Sequence, residues 1–332
     1  MNRQRWIVGA DIGGTNLVVG VVPAEGGEAL AVRSQPTDAP RGPEAIVTDV
    51  VRMARDAVRE VLAQNGGQHA DVIGMGVGCP GPVDRGSGVV IESPNLRWRD
   101  FPLRDRVQAL VDWPVGVDND ANCATYGEWW QGAGKGSSSL VGIIIGTGVG
   151  GGFIYKGRLV HGASDGAGEV GHTTINVSGR RCACGNDGCL EAYASGPAIA
   201  ARAREGLEAG AESILSSIVD ERLDEITAAT VYEAVVQGDP YATEVMTETA
   251  KFLGAGIANV INILNPEAVV IMGGVTRAGD HLFVPLKAEV RRRAFKALVA
   301  ACRILPAHLP GTAGVVGAAG IMAAQLNGDP SA

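Results

Sequence analysis

Short apolar runs alternate along this chain with longer stretches in which apolar residues recur every three or four positions. The short runs predict buried strands, and the longer stretches predict helices with one apolar face. The predicted strands lie at residues 5–11, 17–22, 72–78, 113–120, 140–145, 153–160 and 267–272. The predicted helices lie at residues 42–65, 121–130, 198–209, 241–264 and 314–326. This mixture of elements indicates an α/β fold.

Two glycine-rich turns lie between pairs of predicted strands, DIGGTN at 11–16 and GTGVGGG at 146–152. Neither is a Walker loop, because the Lys and Ser/Thr of that motif are missing and a strand follows each turn. The backbone N–H groups of such turns can bind phosphate oxygens, and Asp11 could orient a hydrated Mg²⁺. An ordinary hairpin is the alternative for either turn taken alone. The same arrangement, a glycine-rich turn between two apolar strands, occurs in both halves of the chain. This repetition predicts two related α/β halves that face each other across a cleft, with a boundary near Asp118.

Composition narrows the class of protein. The chain is 46% hydrophobic, contains 48 glycines and carries a net charge of −8. The longest run of basic residues is Arg291–Arg293, so we expect no nucleic-acid partner. We expect no membrane span or signal peptide either, and predict a cytoplasmic protein. Cys79, Cys123 and Cys302 lie among small or apolar residues and are predicted to be buried thiols rather than disulfide partners.

One segment combines a histidine with three cysteines, His172, Cys182, Cys184 and Cys189. Thiolates and imidazole are the ligands that Zn²⁺ prefers, and four of them close its coordination shell. A closed shell leaves no position for a catalytic water, so we expect a structural zinc that fixes the loop. Two carboxylates flank the segment, Glu169 before it and Glu191 after it.

Six motifs follow one another in order: DIGGTN (11–16), GCPGPVD (78–84), NDAN (119–122), GTGVGGG (146–152), GEVGH (168–172) and CACGNDGCLE (182–191). Together they resemble the repressor, open-reading-frame and kinase (ROK) family of sugar kinases, and most of all its bacterial glucokinases. The resemblance spans residues 7 to about 320. It implies the duplicated ATPase fold of actin and hexokinase, with two domains around a cleft. The expected domains are residues 1–118, joined by the C-terminal helix 314–328, and residues 119–313 with the zinc loop.

The resemblance also implies an activity, the ATP-dependent phosphorylation of glucose at its 6-hydroxyl, with Asp120 as the general base. Asp120 could alternatively cap the helix that follows it, and both roles are compatible. The implied sugar-binding residues are Gly81, Asn95, Asn119, Asp120, Glu169, His172 and Glu191. Asn95 could instead be only a turn residue after Pro94. His172 would give one ring nitrogen to zinc and the other to a sugar hydroxyl.

The implied cofactors are ATP, Mg²⁺ and structural Zn²⁺. The residues expected to bind the nucleotide are Asp11, Gly13, Gly14, Thr15, Asn16, Thr147 and Gly148 at the phosphates and Gly273 and Gly274 at the adenosine. A homodimer or a dimer of dimers is expected by the same resemblance.

Several alternatives stay open at this point. The hexose could be mannose, N-acetylmannosamine or fructose, and polyphosphate could replace ATP as the phosphoryl donor. A sugar-responsive repressor is not expected, because only 10 residues precede Asp11 and a DNA-reading module needs more. A non-catalytic, zinc-stabilised sugar-binding protein is the third possibility, and the intact phosphate motifs argue against it.

Overall fold

Strands and helices alternate over most of residues 4–329, the part of the chain that the structure, a computed structural model, describes. The strands are β1 (Trp6–Ile12), β2 (Asn16–Pro23), β3 (Leu30–Pro36), β4 (Val72–Cys79), β5 (Val83–Asp84), β6 (Val89–Ser93), β7 (Trp98–Phe101), β8 (Val115–Asn119), β9 (Ser139–Ile145), β10 (Val149–Tyr155), β11 (Arg158–Leu159), β12 (Ala268–Met272) and β13 (Arg303–Pro306). The helices are α1 (Pro43–Asn65), α2 (Leu103–Gln108), α3 (Asp120–Trp130), α4 (Glu191–Ala194), α5 (Gly196–Glu208), α6 (Leu215–Ile218), α7 (Ala228–Val236), α8 (Pro240–Leu264), α9 (Asp280–Arg293), α10 (Lys296–Ala301) and α11 (Ala313–Leu326).

All five predicted helices are present as α1, α3, α5, α8 and α11. The helix α1 ends where the sequence predicts, because Gly66 adopts the left-handed conformation (φ 67°) that ends many helices. The prediction for the second glycine turn is wrong in part, since β10 already begins at Val149. Gly152 therefore lies in a strand, where a Cβ atom would come within 2.7 Å of the Thr125 hydroxyl. Glycine is needed there for close packing rather than for a turn.

The chain divides into two units. The first contains the chain up to Gly142, together with Gly152–Gly168 and the chain from His308 onwards. The second contains Ile143–Gly151 and Glu169–Ala307. The domain boundaries predicted from the sequence stay a prediction. Within residues 4–329, no helix is both long enough and apolar enough to cross a membrane.

The main sheet of the first unit has the strand order β3-β2-β1-β4-β8. The strand β1 pairs antiparallel with β2 and parallel with β4, which in turn pairs parallel with β8. One face of the sheet packs on α1, and the other packs on α11 through Ile7 and Val22 against Val315. The contact with α11 is made at backbone distance, since a Cβ on Gly76 would lie 1.9 Å from the Ala318 carbonyl oxygen.

The first unit also contains a three-stranded sheet of order β5-β6-β7. A second five-stranded sheet has the order β11-β10-β9-β12-β13. In the second unit the long helix α8 packs along α9. The strand β12 is buried at every residue and pairs parallel with β13. The strands β9 and β12 are neighbours in the second sheet, and Gly273, directly after β12, lies against Ile145 at the end of β9, so the carboxyl ends of the two strands lie side by side.

Candidate functional site

The Asn-Asp pair of the NDAN motif lies where β8 ends and α3 begins. Asn119 caps the helix, because its Oδ1 accepts hydrogen bonds from the backbone N–H groups of Ala121 at 2.9 Å and Asn122 at 3.1 Å. The alternative in which Asp120 is the cap is therefore wrong. Asp120 is the first helical residue, and its Oδ1 accepts from the Ala121 N–H at 2.8 Å. Its carboxylate lies at the positive end of the helix dipole.

A buried cluster of charges supports this pair, and sequence reasoning missed it. Asp118, 2% exposed, accepts through Oδ1 from the Asn119 backbone N–H at 2.7 Å and from Asn122 Nδ2 at 3.0 Å. Its Oδ2 lies 3.1 Å from Arg85 Nε and 2.8 Å from His161 Nε2. The cluster thus holds the residues on both sides of Asp120. The one available signal was an acidic residue directly before the motif.

Gly81 and Asn95, both predicted at the sugar pocket, lie beside other predicted site residues. The Gly81 carbonyl accepts a hydrogen bond from Asn119 Nδ2 at 3.1 Å. Gly81 has φ 98°, and a Cβ there would come within 2.0 Å of the Glu92 carbonyl oxygen, so only glycine fits. Asn95 lies in the turn between β6 and β7, with its Cβ 3.1 Å from where a Cβ on Gly14 would be.

The first glycine turn joins β1 to β2 and is held by backbone contacts. The Gly13 N–H donates to the Asn16 carbonyl at 2.9 Å, and the buried Thr37 hydroxyl donates to the Gly13 carbonyl at 2.7 Å. Gly14, Thr15 and Asn16 stay exposed. The turn is therefore a rigid, open edge of the first unit, suited to approach by an anion.

Asp11, at the end of β1, interacts electrostatically with Asp120. Burial and, to a smaller extent, the negative charge of Asp120 together raise the pKa of Asp11 to about 7. Two carboxylates that repel one another in a partly desolvated place are stabilised by a cation. A hydrated Mg²⁺, which takes one or two carboxylates as direct or water-mediated partners, fits this pair of acids.

Replacing Asp11 with Asn should stabilise the magnesium-free protein more at pH 8 than at pH 5. A carboxyl group whose pKa is higher in the folded than in the unfolded protein destabilises the folded state once the pH exceeds the unfolded-state pKa. This destabilisation grows with pH until the pH has passed the folded-state pKa of about 7. The difference between the two pH values should reach at most about 3 kcal/mol. Thermal unfolding of both proteins measures it. Glu28→Gln, which neutralises an exposed carboxylate, is the control, and an equal gain at both pH values would contradict the prediction.

The second glycine turn and the Gly273–Gly274 pair meet in the second unit. The turn Gly146–Gly148 follows β9, and the pair follows β12, the neighbouring strand. Gly273 has φ 96°, and a Cβ there would lie 2.0 Å from the Ile145 carbonyl oxygen. The structure therefore brings together two segments predicted to contact one nucleotide. Ligands of open α/β sheets commonly bind at such carboxyl ends of strands.

The predicted zinc ligands also come together. Donor atoms of His172, Cys182, Cys184 and Cys189 all lie within 4.8 Å of one another. Cys184 Sγ is 3.7 Å from Cys189 Sγ, and Cys182 Sγ is 3.8 Å from His172 Nδ1. Neighbouring donors of a tetrahedral zinc site lie about 3.5–3.8 Å apart, so the group fits the ion. The backbone N–H of Asn186 lowers the pKa of the Cys184 thiol to about 7, which favours the thiolate.

The two flanking carboxylates differ in their surroundings. Glu169 is exposed, and its Oε2 lies 4.0 Å from His172 Nε2, the ring nitrogen that does not face the cysteines. Glu191 begins α4, and its Oε2 accepts a hydrogen bond from the Val149 backbone N–H at 2.9 Å. Glu191 thus connects the cysteine segment with the strand that follows the glycine turn.

Residues 7–325 match the ROK family. The chain belongs to this family. It is 39% identical over 98% of its length to a glucokinase of Halalkalibacterium halodurans, of which the match covers 97%. A solved ROK glucokinase of Streptomyces griseus, in complex with glucose and AMPPNP, is 36% identical, with a TM-score of 0.81 over 95% of this chain and 98% of that one. The ROK hexokinase of Thermus thermophilus is 30% identical, with a TM-score of 0.78 over 97% of this chain and 98% of that one.

The family and the fold class predicted from the six motifs are confirmed, since the solved ROK structures share the fold over nearly the whole chain. Within the first unit of this ROK protein, the structure brings Asp11 close to Asp120 and Asn119 close to Gly81. Within the second, it brings Glu191 to the glycine turn and collects the four predicted metal ligands. The roles of these residues stay predictions.

Proposed function

We propose that this ROK protein is an ATP-dependent glucokinase that transfers the γ-phosphoryl group of ATP to the 6-hydroxyl of glucose. The observation that carries the proposal is the match over 95% of the chain to a glucokinase solved with glucose and AMPPNP. The similarity to a curated glucokinase at 39% identity supports the same activity.

Asp120 is the proposed general base. It accepts the proton of the 6-hydroxyl while the oxygen attacks the γ-phosphorus in line. Its position at the first turn of α3 orients the carboxylate, because Oδ1 accepts a hydrogen bond from the Ala121 N–H. Asn119 uses its amide oxygen for the helix cap and one N–H for the Gly81 carbonyl. Its second amide N–H is the group proposed to donate to a sugar hydroxyl.

The remaining sugar contacts are assigned to Glu169, His172 and Glu191 of the second unit and to Gly81 and Asn95 of the first. Carboxylates form strong, directional hydrogen bonds with hydroxyl groups, so an epimer that leaves one of them unpaired is penalised. His172 has the geometry for a double role, since Nδ1 faces the cysteines and Nε2 faces the other way. Zinc, held by His172 and the three cysteines, would fix the ring orientation.

The proposed phosphate ligands are the backbone groups of the two glycine turns, and the proposed adenosine contact is Gly273–Gly274. Asp11 would hold the hydrated Mg²⁺, which supplies charge neutralisation for the migrating phosphoryl group. A homodimer or a dimer of dimers is proposed as the assembly, and light scattering of the purified protein measures it.

A panel of hexoses tests the proposal. With MgATP as the donor and coupled detection of ADP, glucose should give the highest kcat/KM, with mannose as the expected second substrate. A higher kcat/KM for N-acetylmannosamine or fructose would overturn the glucose assignment but keep the kinase. Absence of ADP release with every sugar would leave a non-catalytic sugar-binding protein. Polyphosphate in place of ATP tests the donor in the same assay.

A further inference from the structure

The glycine turn assigned to phosphate is fixed at three points within the second unit, and two of these contacts come from the segments assigned to sugar and metal. The Gly146 carbonyl accepts a hydrogen bond from the Gly196 N–H at 2.8 Å. The Val149 N–H donates to Glu191 Oε2 at 2.9 Å. A Cβ on Gly171 would lie 2.0 Å from the Val149 carbonyl oxygen, so the backbones of Gly171 and Val149 are in contact.

Glu191 is the point where these contacts converge. Its Oε1 lies 3.8 Å from Cys182 Sγ, while Oε2 holds the Val149 N–H. The same Oε2 would lie 2.5 Å from a Cβ on Gly148. The carboxylate therefore lies directly against the turn that would hold the β- and γ-phosphates. A movement of Glu191 would displace that turn.

We infer that Glu191 couples sugar binding to nucleotide binding, by positioning the turn Gly146–Gly148 through its hydrogen bond to Val149. This inference rests on the proposed function, since it takes glucose and ATP as the two ligands. A sugar hydroxyl that engages Glu191 fixes the carboxylate, and the fixed carboxylate orders the turn for phosphate. By thermodynamic reciprocity, nucleotide on the turn then tightens glucose binding by the same factor.

A pair of glycine variants tests the contact without nucleotide. Gly148→Ala places a methyl group 2.5 Å from Glu191 Oε2, whereas Gly146→Ala, in the same turn, meets nothing within 4 Å. Calorimetry with glucose alone should show a dissociation constant at least about fivefold weaker for Gly148→Ala and within about twofold of wild type for Gly146→Ala. Since no phosphate is present, lost phosphate contacts cannot produce the difference. A Gly148→Ala protein with wild-type glucose affinity would overturn the inference.

A coupling measurement keeps the inference testable if Gly148→Ala does not fold. The ratio of glucose dissociation constants without and with Mg·AMPPNP should be at least about five for the wild type. Glu191→Ala removes the acceptor for the Val149 N–H, and its ratio should fall to about one. Glu191→Gln keeps an acceptor oxygen and should keep part of the coupling. The ratio is independent of how much each variant weakens glucose binding itself.

The two levels of failure are distinguishable. A wild-type protein that phosphorylates glucose but binds it equally well with and without Mg·AMPPNP overturns the coupling alone. Retention of the wild-type ratio in Glu191→Ala does the same. A wild-type protein that neither binds nor phosphorylates glucose overturns the proposed function.

Discussion

Replacing Asp120 with Asn should lower kcat by at least about 10³-fold while KM for glucose changes by no more than about threefold. Asn has the same shape as Asp, and its amide oxygen can still accept the hydrogen bond from the Ala121 N–H. The start of α3 and the cap by Asn119 therefore stay in place. The lost property is the ability to accept the proton of the attacking hydroxyl.

Steady-state kinetics with glucose and MgATP measure this effect. The matched control is Asp112→Asn, which makes the same chemical change at an exposed position of the first unit and should leave kcat unchanged. Thermal unfolding of both variants excludes a folding defect. Turnover of Asp120→Asn within about tenfold of wild type would show that another group accepts the proton.

Replacing Cys184 with Ser should remove the zinc proposed at this site and weaken glucose binding by at least about tenfold. Cys184 is exposed, so the substitution by itself costs little packing. Serine is a poor zinc ligand, and a site with three remaining donors loses its closed shell. Without the ion, the His172 ring and the segment that leads into α4, where Glu191 lies, lose the restraint that shared metal ligands would give them.

Zinc per chain, measured by elemental analysis, and glucose affinity, measured by calorimetry, test this prediction together. Cys302→Ser is the control, since that cysteine lies outside the group of four ligands. The control should retain both zinc and affinity. A zinc-free Cys184→Ser protein with wild-type glucose affinity and thermal stability would separate the metal from sugar binding.

Periodicity was sufficient to predict several of the elements that have one continuous apolar face. The helix α1 is an example, since Ile46, Val50, Met53, Ala57 and Val61 recur at helical spacing and all are buried. The three-stranded sheet β5-β6-β7 was not predicted. Its strands are short and carry exposed charged residues such as Glu92 and Arg99, so no run of alternating positions marks them.

The site was predictable where its residues are close in sequence. The four metal ligands follow from their spacing, and the structure collects them. The choice between Asn119 and Asp120 as the helix cap was not predictable, because both residue types cap helices well. The buried cluster around Asp118 could not be predicted from the sequence either, because Arg85 and His161 contact Asp118 from distant parts of the chain. Contacts of that kind depend on the tertiary fold.

The position of α11 has a consequence for how the protein is made. This helix covers one face of the main sheet of the first unit, yet it begins at Ala313, after the whole second unit has been synthesised. Until then, Ile7 and Val22 lack the apolar partners that α11 supplies. We therefore expect a nascent chain to expose this apolar face until α11 has been synthesised, and to be prone to chaperone binding during that time.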